Sequence, residues 1–231
     1  MTQLTILYDN HAEGELRSGW GFSAFVQTEG STLVFDTGAD KLVLEHNAAH
    51  LSTNLSSAAA LVLSHEHCDH IGAVSSVFHK GLHLYVPRAF AKRYAHIDRS
   101  RMELHVVKSP MDVVPGVRSI GQMGREIPEQ ALLIDGEAGP VLMTGCAHMG
   151  IQRLARRATD LAGEPLDLVI GGLHLFRQSE DAVRRTIEEL QSLGVRRAAP
   201  CHCTGDEAIS AFRTAFGEDF IDVSVGTRID I

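Results

Sequence analysis

The segment that most restricts this chain runs over residues 58–70, where an apolar stretch, AAALVLS, empties directly into HEHCDH. A short continuous apolar run of this kind reads as a strand buried on both faces, which belongs to α/β folds with covered sheets. Just beyond it stand His65, His67, Asp69 and His70, four ligand-type side chains within six residues. In a helix His65 and His67 would point nearly oppositely, whereas in extended chain residues two apart share a side. His67 and His70 are three apart, so a helix starting just past the cluster brings the later pair round to the same space.

Imidazoles with one carboxylate form a borderline-hard set that suits zinc, and also iron or manganese, better than calcium or magnesium. Four such ligands crowd a single tetrahedral ion. Sharing them between two divalent ions about 3.5–4 Å apart is the easier geometry, and it calls for further ligands from elsewhere. His148 and His202 are the candidates, since each follows a strand-like run, VLMTGCAH and AAPCH, and precedes a helical pattern. Active-site residues of α/β proteins gather at such strand ends. His174, after Gly171-Gly172, stands in a third place of this kind, where it could donate a proton or orient substrate.

The rest of the chain alternates strands and helices. Strands are expected over 4–8, 22–27, 32–35, 82–86, 104–107, 117–120, 131–134, 141–144, 168–170, 195–200 and 220–225. Helical spacing marks 40–50, 71–78, 151–161 and 183–190, and Thr204 with Glu207 matches a capping box opening a last helix. No linker, repeat or low-complexity segment divides the 231 residues, and 44% hydrophobic residues against 22% charged supply a substantial core. The reading is α/β, with helices covering two packed sheets.

With 21 Lys+Arg against 29 Asp+Glu, the formal charge of −8 argues against a general nucleic-acid or anionic-membrane binder. No apolar run approaches the roughly 18 residues of a membrane helix, and the start, MTQLTILYDNH, lacks a basic stretch followed by an apolar one. The expected compartment is the cytoplasm. Cysteines 68, 146, 201 and 203 form no C-x-x-C pair and are too few for a disulfide framework. Cys68 lies between inward ligands, so it should turn away and pack, and alternation should turn Cys201 and Cys203 away from His202 to pack. Arg153, Arg156 and Arg157, like Arg184 and Arg185, fall opposite apolar stripes and read as solvated faces. Arg99 and Arg101 lie in the least regular region, 95–130, and are weak candidates to face an anionic substrate.

H-x-H-x-D-H after an apolar strand, preceded by VFDTG at 34–38 and followed by histidines at later strand ends, resembles the metallo-β-lactamase superfamily. The resemblance covers nearly the whole chain. It implies a four-layer αββα sandwich, one domain over 1–231, with a dinuclear site along one edge. By position, His65, His67 and His148 would hold one metal and Asp69, His70 and His202 the other, with Asp36 as a support beneath; Asp69 and His174 would serve catalysis. The stretches TGCAHMGI (144–151), GGLHL (171–175) and PCHCTG (200–205) look like the branch named for 7,8-dihydropterin-6-yl-methyl-4-(β-D-ribofuranosyl)aminobenzene 5′-phosphate synthase.

Two departures from the superfamily pattern stand out. Cys146 occupies the place of the usual bridging aspartate, where a thiolate could ligate zinc or the side chain could simply pack. A histidine commonly found before that hairpin is missing from EIPEQ (126–130); Glu126 or Glu129 could substitute, although exposure is the commoner state of a glutamate.

The resemblance implies a hydrolase in which a metal-bridging hydroxide attacks an ester, amide or phosphoester of a small molecule. Two divalent ions add about four positive charges to the site, so an anionic or phosphorylated substrate is compatible with the net charge. A second expectation is transfer of a dihydropterin phosphate group with diphosphate leaving. A third is a non-catalytic metal-binding or redox module, although diiron electron-transfer members tend to carry an acidic residue where His67 stands.

Overall fold

Thirteen strands and five α-helices are found among residues 2–98 and 100–231, which the computed structural model describes. The strands are β1 (Gln3–Tyr8), β2 (Ser23–Thr28), β3 (Ser31–Phe35), β4 (Ala60–Val62), β5 (His83–Pro87), β6 (Glu103–Val107), β7 (Met111–Val114), β8 (Val117–Ser119), β9 (Leu132–Ile134), β10 (Val141–Thr144), β11 (Leu168–Gly172), β12 (Arg197–Cys201) and β13 (Arg228–Asp230). The helices are α1 (Lys41–His50), α2 (Cys68–Ile71), α3 (Ile151–Ala162), α4 (Glu180–Ser192) and α5 (Asp206–Phe216). One sheet runs β13-β1-β2-β3-β4-β5-β6 and the other β12-β11-β10-β9-β8-β7.

Alternation along the strands explains why they read as continuous apolar runs. Ala60 and Val62 of β4 join Val141 and Met143 of β10 in a core between the sheets. Leu61, on the opposite face of β4, shares a core with Leu44 of α1, while Leu142 shares another with Leu154 of α3, Ile187 of α4 and Phe212 of α5. Each sheet is therefore covered on both faces, giving the expected αββα layers. β3 to β6 run parallel, as do β10 to β12, so the carboxyl ends of β3, β4, β10, β11 and β12 can deliver loops to the same edge.

Several local expectations are corrected. The last strand is not 220–225 but Arg228–Asp230: after an isolated bridge from Phe220 to Ala198, the chain turns at Gly226 (φ 93°) and pairs with β1. The helix expected over 71–78 is split into α2 and a 3₁₀ turn, Val74–Ser76. Gly72 lies between them, and a Cβ there would meet the Ala39 carbonyl oxygen at 2.1 Å. The capping box does not form, because Gly205 is the N-cap of α5 and Thr204 bonds elsewhere. The irregular region also contains an unexpected hairpin, β7–β8. Arg101 is exposed, with its carbonyl accepting from Gly81 N–H; Arg99 lies outside the described residues. No helix among the described residues is long and apolar enough to cross a membrane.

Candidate metal centre

Strand ends from both sheets carry the candidate ligands. His65 and His67 follow β4, and α2 starts at once, turning Asp69 and His70 back toward them. His65 Nε2 lies 3.1 Å from His67 Nδ1 and 3.2 Å from His148 Nε2, so three imidazoles converge. A second group forms around Asp69, whose Oδ2 is 3.5 Å from His202 Nε2 and 3.8 Å from His70 Nε2. The structure thus brings His65, His67 and His148 into one cluster, and Asp69, His70 and His202 into another.

The ring orientations follow from buried hydrogen bonds. Ser64 Oγ donates to Asp36 Oδ2 at 2.6 Å, which uses its only proton. At 2.9 Å from His65 Nδ1 it can then only accept, so Nδ1 carries the proton and His65 Nε2 presents its lone pair to the cluster. His70 Nδ1 donates to the same Asp36 oxygen at 2.7 Å, leaving Nε2 toward Asp69. Asp36 is therefore the support beneath the site. Gly145 lets this arrangement pack: a Cβ there would lie 2.3 Å from Ser64 Oγ and 2.8 Å from Asp36 Oδ2.

Two residues that sequence reading did not single out hold His202. Asp9 Oδ1 accepts from His202 N–H at 3.0 Å, while the Asn10 amide donates to the His202 carbonyl at 3.0 Å and its oxygen meets His202 Nδ1 at 3.1 Å. A polar Asp-Asn pair directly after an apolar strand was the available signal. His202 Nε2 is then buried without a hydrogen-bond partner. An orphaned buried nitrogen facing a carboxylate is what a bound cation would satisfy, so these residues fit a metal.

The electrostatics agree. Burial, followed by the neighbouring imidazoles, pushes His65 well down; burial with His174 and His67 brings His148 down to about 3. Both rings are neutral and available as donors. Burial works against charge on Asp69, but the His202 contact and the His70 charge hold its carboxyl below the usual range. For His70 burial is outweighed by Asp36, through charge and hydrogen bond, so its pKa rises.

Cys146 does reach the site, with Sγ 3.2 Å from His70 Nε2 and 3.2 Å from Cys203 Sγ. The expectation that Cys203 turns away to pack is corrected, because alternation fails here: His202 has φ 49° and residues His202–Thr204 form a 3₁₀ turn. Burial opposes charge on either thiol, but Cys146, His174 and the nearby His202 and His70 favour one thiolate, on Cys203. Cys201 is buried as expected, whereas Cys68 is exposed instead of packed; all four cysteines are free. His174 sits 4.3 Å, ring to ring, from His148, and its contact with the Cys203 sulfur raises its pKa against burial.

Glu126 is exposed, but Glu129 is fully buried, correcting the expectation of an exposed side chain. Glu129 Oε1 accepts from Met149 N–H at 2.9 Å, so it braces the loop carrying His148 and is absent from the two histidine clusters above. An open cavity of about 890 Å³ borders His148 and His174 and is lined by Arg125, Glu126 and Arg153. A smaller one of about 270 Å³ borders the same histidines and Arg185. Arg153 and Arg185 therefore reach the site's surroundings, while Arg184 stays on the solvated face, paired with Asp181 and Glu188. A groove of about 1070 Å³ between α4 and α5 is lined by no histidine or cysteine.

No family model matches the chain. It is 24% identical, over 90% of its length and 89% of the relative's, to 7,8-dihydropterin-6-methyl-4-(β-D-ribofuranosyl)-aminobenzene-5′-phosphate synthase of Methanocaldococcus jannaschii. Among solved structures, Tm1679, a metal-dependent hydrolase of the β-lactamase superfamily, superimposes with a TM-score of 0.83 at 23% identity, covering all of this chain and 99% of that one. The metallo-β-lactamase fold protein YhfI from Bacillus subtilis superimposes at 0.73 with 14% identity, covering both chains fully.

Proposed function

We propose, for a chain that carries the metallo-β-lactamase fold, that it is a two-metal hydrolase of a small anionic ester, amide or phosphoester. The meeting of His65, His67 and His148 with Asp69, His70 and His202 at one sheet edge carries this reading. The first three would hold one divalent ion and the second three the other; zinc suits the donors best, and iron or manganese are compatible. Cys146, in the place of a carboxylate, would give a sulfur donor beside His70, with the thiolate charge of the Cys146–Cys203 pair resting on Cys203. The ions would supply Lewis acidity and a bound water with its pKa lowered toward about 7.

The chain's own groups do the rest. Asp36 and Ser64 hold the Nδ1 sides of His70 and His65, which turns the Nε2 atoms inward. His174, beside His148 and with its pKa raised, carries a proton suited to a departing oxygen or nitrogen. Arg125 and Arg153, at the cavity bordering both histidines, favour an anionic substituent. Such a substrate is a soluble small molecule of the cytoplasm, with neither nucleic acid nor membrane required.

The test is metal analysis of the purified protein followed by phosphodiester, lactone, thioester and pterin substrates. Two equivalents of metal and hydrolysis of one class, lost on chelation and restored by added ion, is the expected result. Full metal loading without hydrolysis of any class overturns it. Group transfer is the second reading, favoured by the synthase name of the relative that spans 90% of this chain. Diphosphate released only in the presence of an arylamine acceptor would select it.

A further inference from the structure

Large apolar side chains left in water are few among the described residues: Trp20, Leu42, Val106 and Phe176. Leu42 lies on α1 and Val106 on β6. Trp20 and Phe176, from loops far apart in sequence, meet beside the histidines. Their ring centroids are 5.7 Å apart at 70°, an edge-to-face pair. Trp20 is 5.0 Å from the His202 ring, and Phe176 is 5.5 Å from that of His174.

The pair is held in place. Gly19 N–H donates to the Asp9 carbonyl at 3.0 Å, Gly21 N–H to Asn10 Oδ1 at 3.4 Å, and Phe22 N–H to the Asp69 carbonyl at 3.3 Å. A Cβ on Gly21 would lie 2.5 Å from that Asp69 oxygen, so the loop is pressed against the ligand segment and cannot swing with an added side chain. Asn10 also grips His202, so Trp20 and His202 share an anchor. On the other side Phe176 N–H donates to the Cys203 carbonyl at 3.3 Å, and the Arg177 guanidinium lies 5.0 Å from the Phe176 centroid. Trp20 remains half exposed, 51%, with hydrocarbon in water beside the candidate ligand His202.

We propose that Trp20 and Phe176 form a stacking platform for a planar aromatic ring of the substrate on the His202 side of the metal centre. The proposal rests on the metal cluster being the reaction centre. An indole face rewards a flat π-system over an aliphatic chain of equal size, and the platform, two rings wide, suits a small molecule.

The test compares phenylphosphonate with hexylphosphonate, which share a headgroup and resist hydrolysis, on zinc-loaded protein. Trp20 is the single tryptophan, so its emission reports the platform alone. Phenylphosphonate should change that emission saturably and bind about 10-fold more tightly than hexylphosphonate, the scale of one stacked ring. By calorimetry, Trp20→Leu and Phe176→Ala should erase the preference while both ligands still bind, and Trp20→Phe should keep most of it. Equal affinities in the wild type, or a preference that survives Trp20→Leu, overturns the platform; unchanged zinc content and melting temperature show that the variants fold. If the preference holds but no ester is ever cleaved, the hydrolase reading falls and the platform stands; phenyl and hexyl esters cleaved with equal KM give the reverse.

Discussion

Of the candidate ligands, those of the first sheet come from one hexapeptide after β4, while those of the second come from the ends of separate strands, His148 after β10 and His202 after β12, with His174 after β11. The difference shows in the backbone. His65, His67, Asp69 and His70 reach their places through an extended segment running into a helix, conformations any residue adopts. In the second sheet Ala147, His174 and His202 have φ of 54°, 54° and 49°, in the left-handed region, as does the supporting Asp36 at 55°. Each such non-glycine residue costs on the order of 1 kcal/mol or more and persists only where its surroundings impose it. The hexapeptide is therefore shaped by local sequence, whereas the loops of the second sheet, and the Asp36 turn that supports the hexapeptide, are strained and held by tertiary contacts.

The largest test of that contrast removes a candidate ligand from the hexapeptide. His67→Ala should lower bound metal below two equivalents and reduce turnover by more than the 10–100-fold that loss of an outer-shell partner costs. The melting temperature should change little, because the ring is only half buried. Full metal content together with full activity would remove His67 from the centre.

Next come the buried carboxylates serving each half. Asp36 touches a ligand ring directly, so Asp36→Asn should weaken metal binding by about 10–100-fold, measured with a competing chelator. Asp9 accepts backbone N–H groups from His202 and His11 and bonds the buried Cys201 thiol, and touches no candidate ligand ring through these bonds. Asp9→Asn should therefore act more on stability than on metal affinity. Equal losses of affinity would mean that loop placement and ring orientation matter alike.

These unequal roles explain how much was legible in the sequence. HEHCDH carries its own geometry, since period-two extension and helical spacing fix where its side chains go. The apolar runs likewise gave away both sheets, because each strand is covered on two faces. What escaped depends on the left-handed turns: with His202 out of extended conformation, Cys203 faces Cys146, a contact that strand alternation hides. Glu129 escaped for a related reason, since glutamates are rarely buried and only the β10–α3 loop packing above it makes burial worthwhile.

Glu129 gives a pH prediction. Burial raises its pKa from 4.5 to about 7, against hydrogen bonds from the His148 loop that favour the charged form. Between these values the folded protein keeps a proton that the unfolded chain has released. The group's contribution to stability is thus complete below about pH 4.5 and is lost as pH rises through 7. Glu129→Gln, which retains an acceptor for Met149 N–H, should gain up to about 3 kcal/mol on wild type in urea unfolding at pH 8, and little at pH 4.5. Parallel curves for the two proteins across that range would show that the carboxylate ionises there without penalty.

The smallest expected effect separates the halves most directly, because each has a fully buried threonine whose hydroxyl is hydrogen-bonded to its ligand loop. In the first, Thr37 Oγ1 donates to the His70 carbonyl, which also accepts Thr37 N–H at 2.7 Å, and accepts from Ala73 N–H. In the second, Thr204 Oγ1 accepts from Leu173 N–H at 3.0 Å and donates to the Cys201 carbonyl at 2.7 Å, tying the His174 loop to that of His202. Thr37→Val leaves the His70 carbonyl with a backbone donor and orphans mainly one N–H, at a cost of about 1 kcal/mol. Thr204→Val cuts the tie between two strained loops and should cost about 2 kcal/mol, with hydrogen exchange rising around His174 and His202 before the rest of the fold. A Thr37→Val protein as destabilised as the Thr204→Val one would mean that the hexapeptide, too, is held by its surroundings instead of by its own conformation.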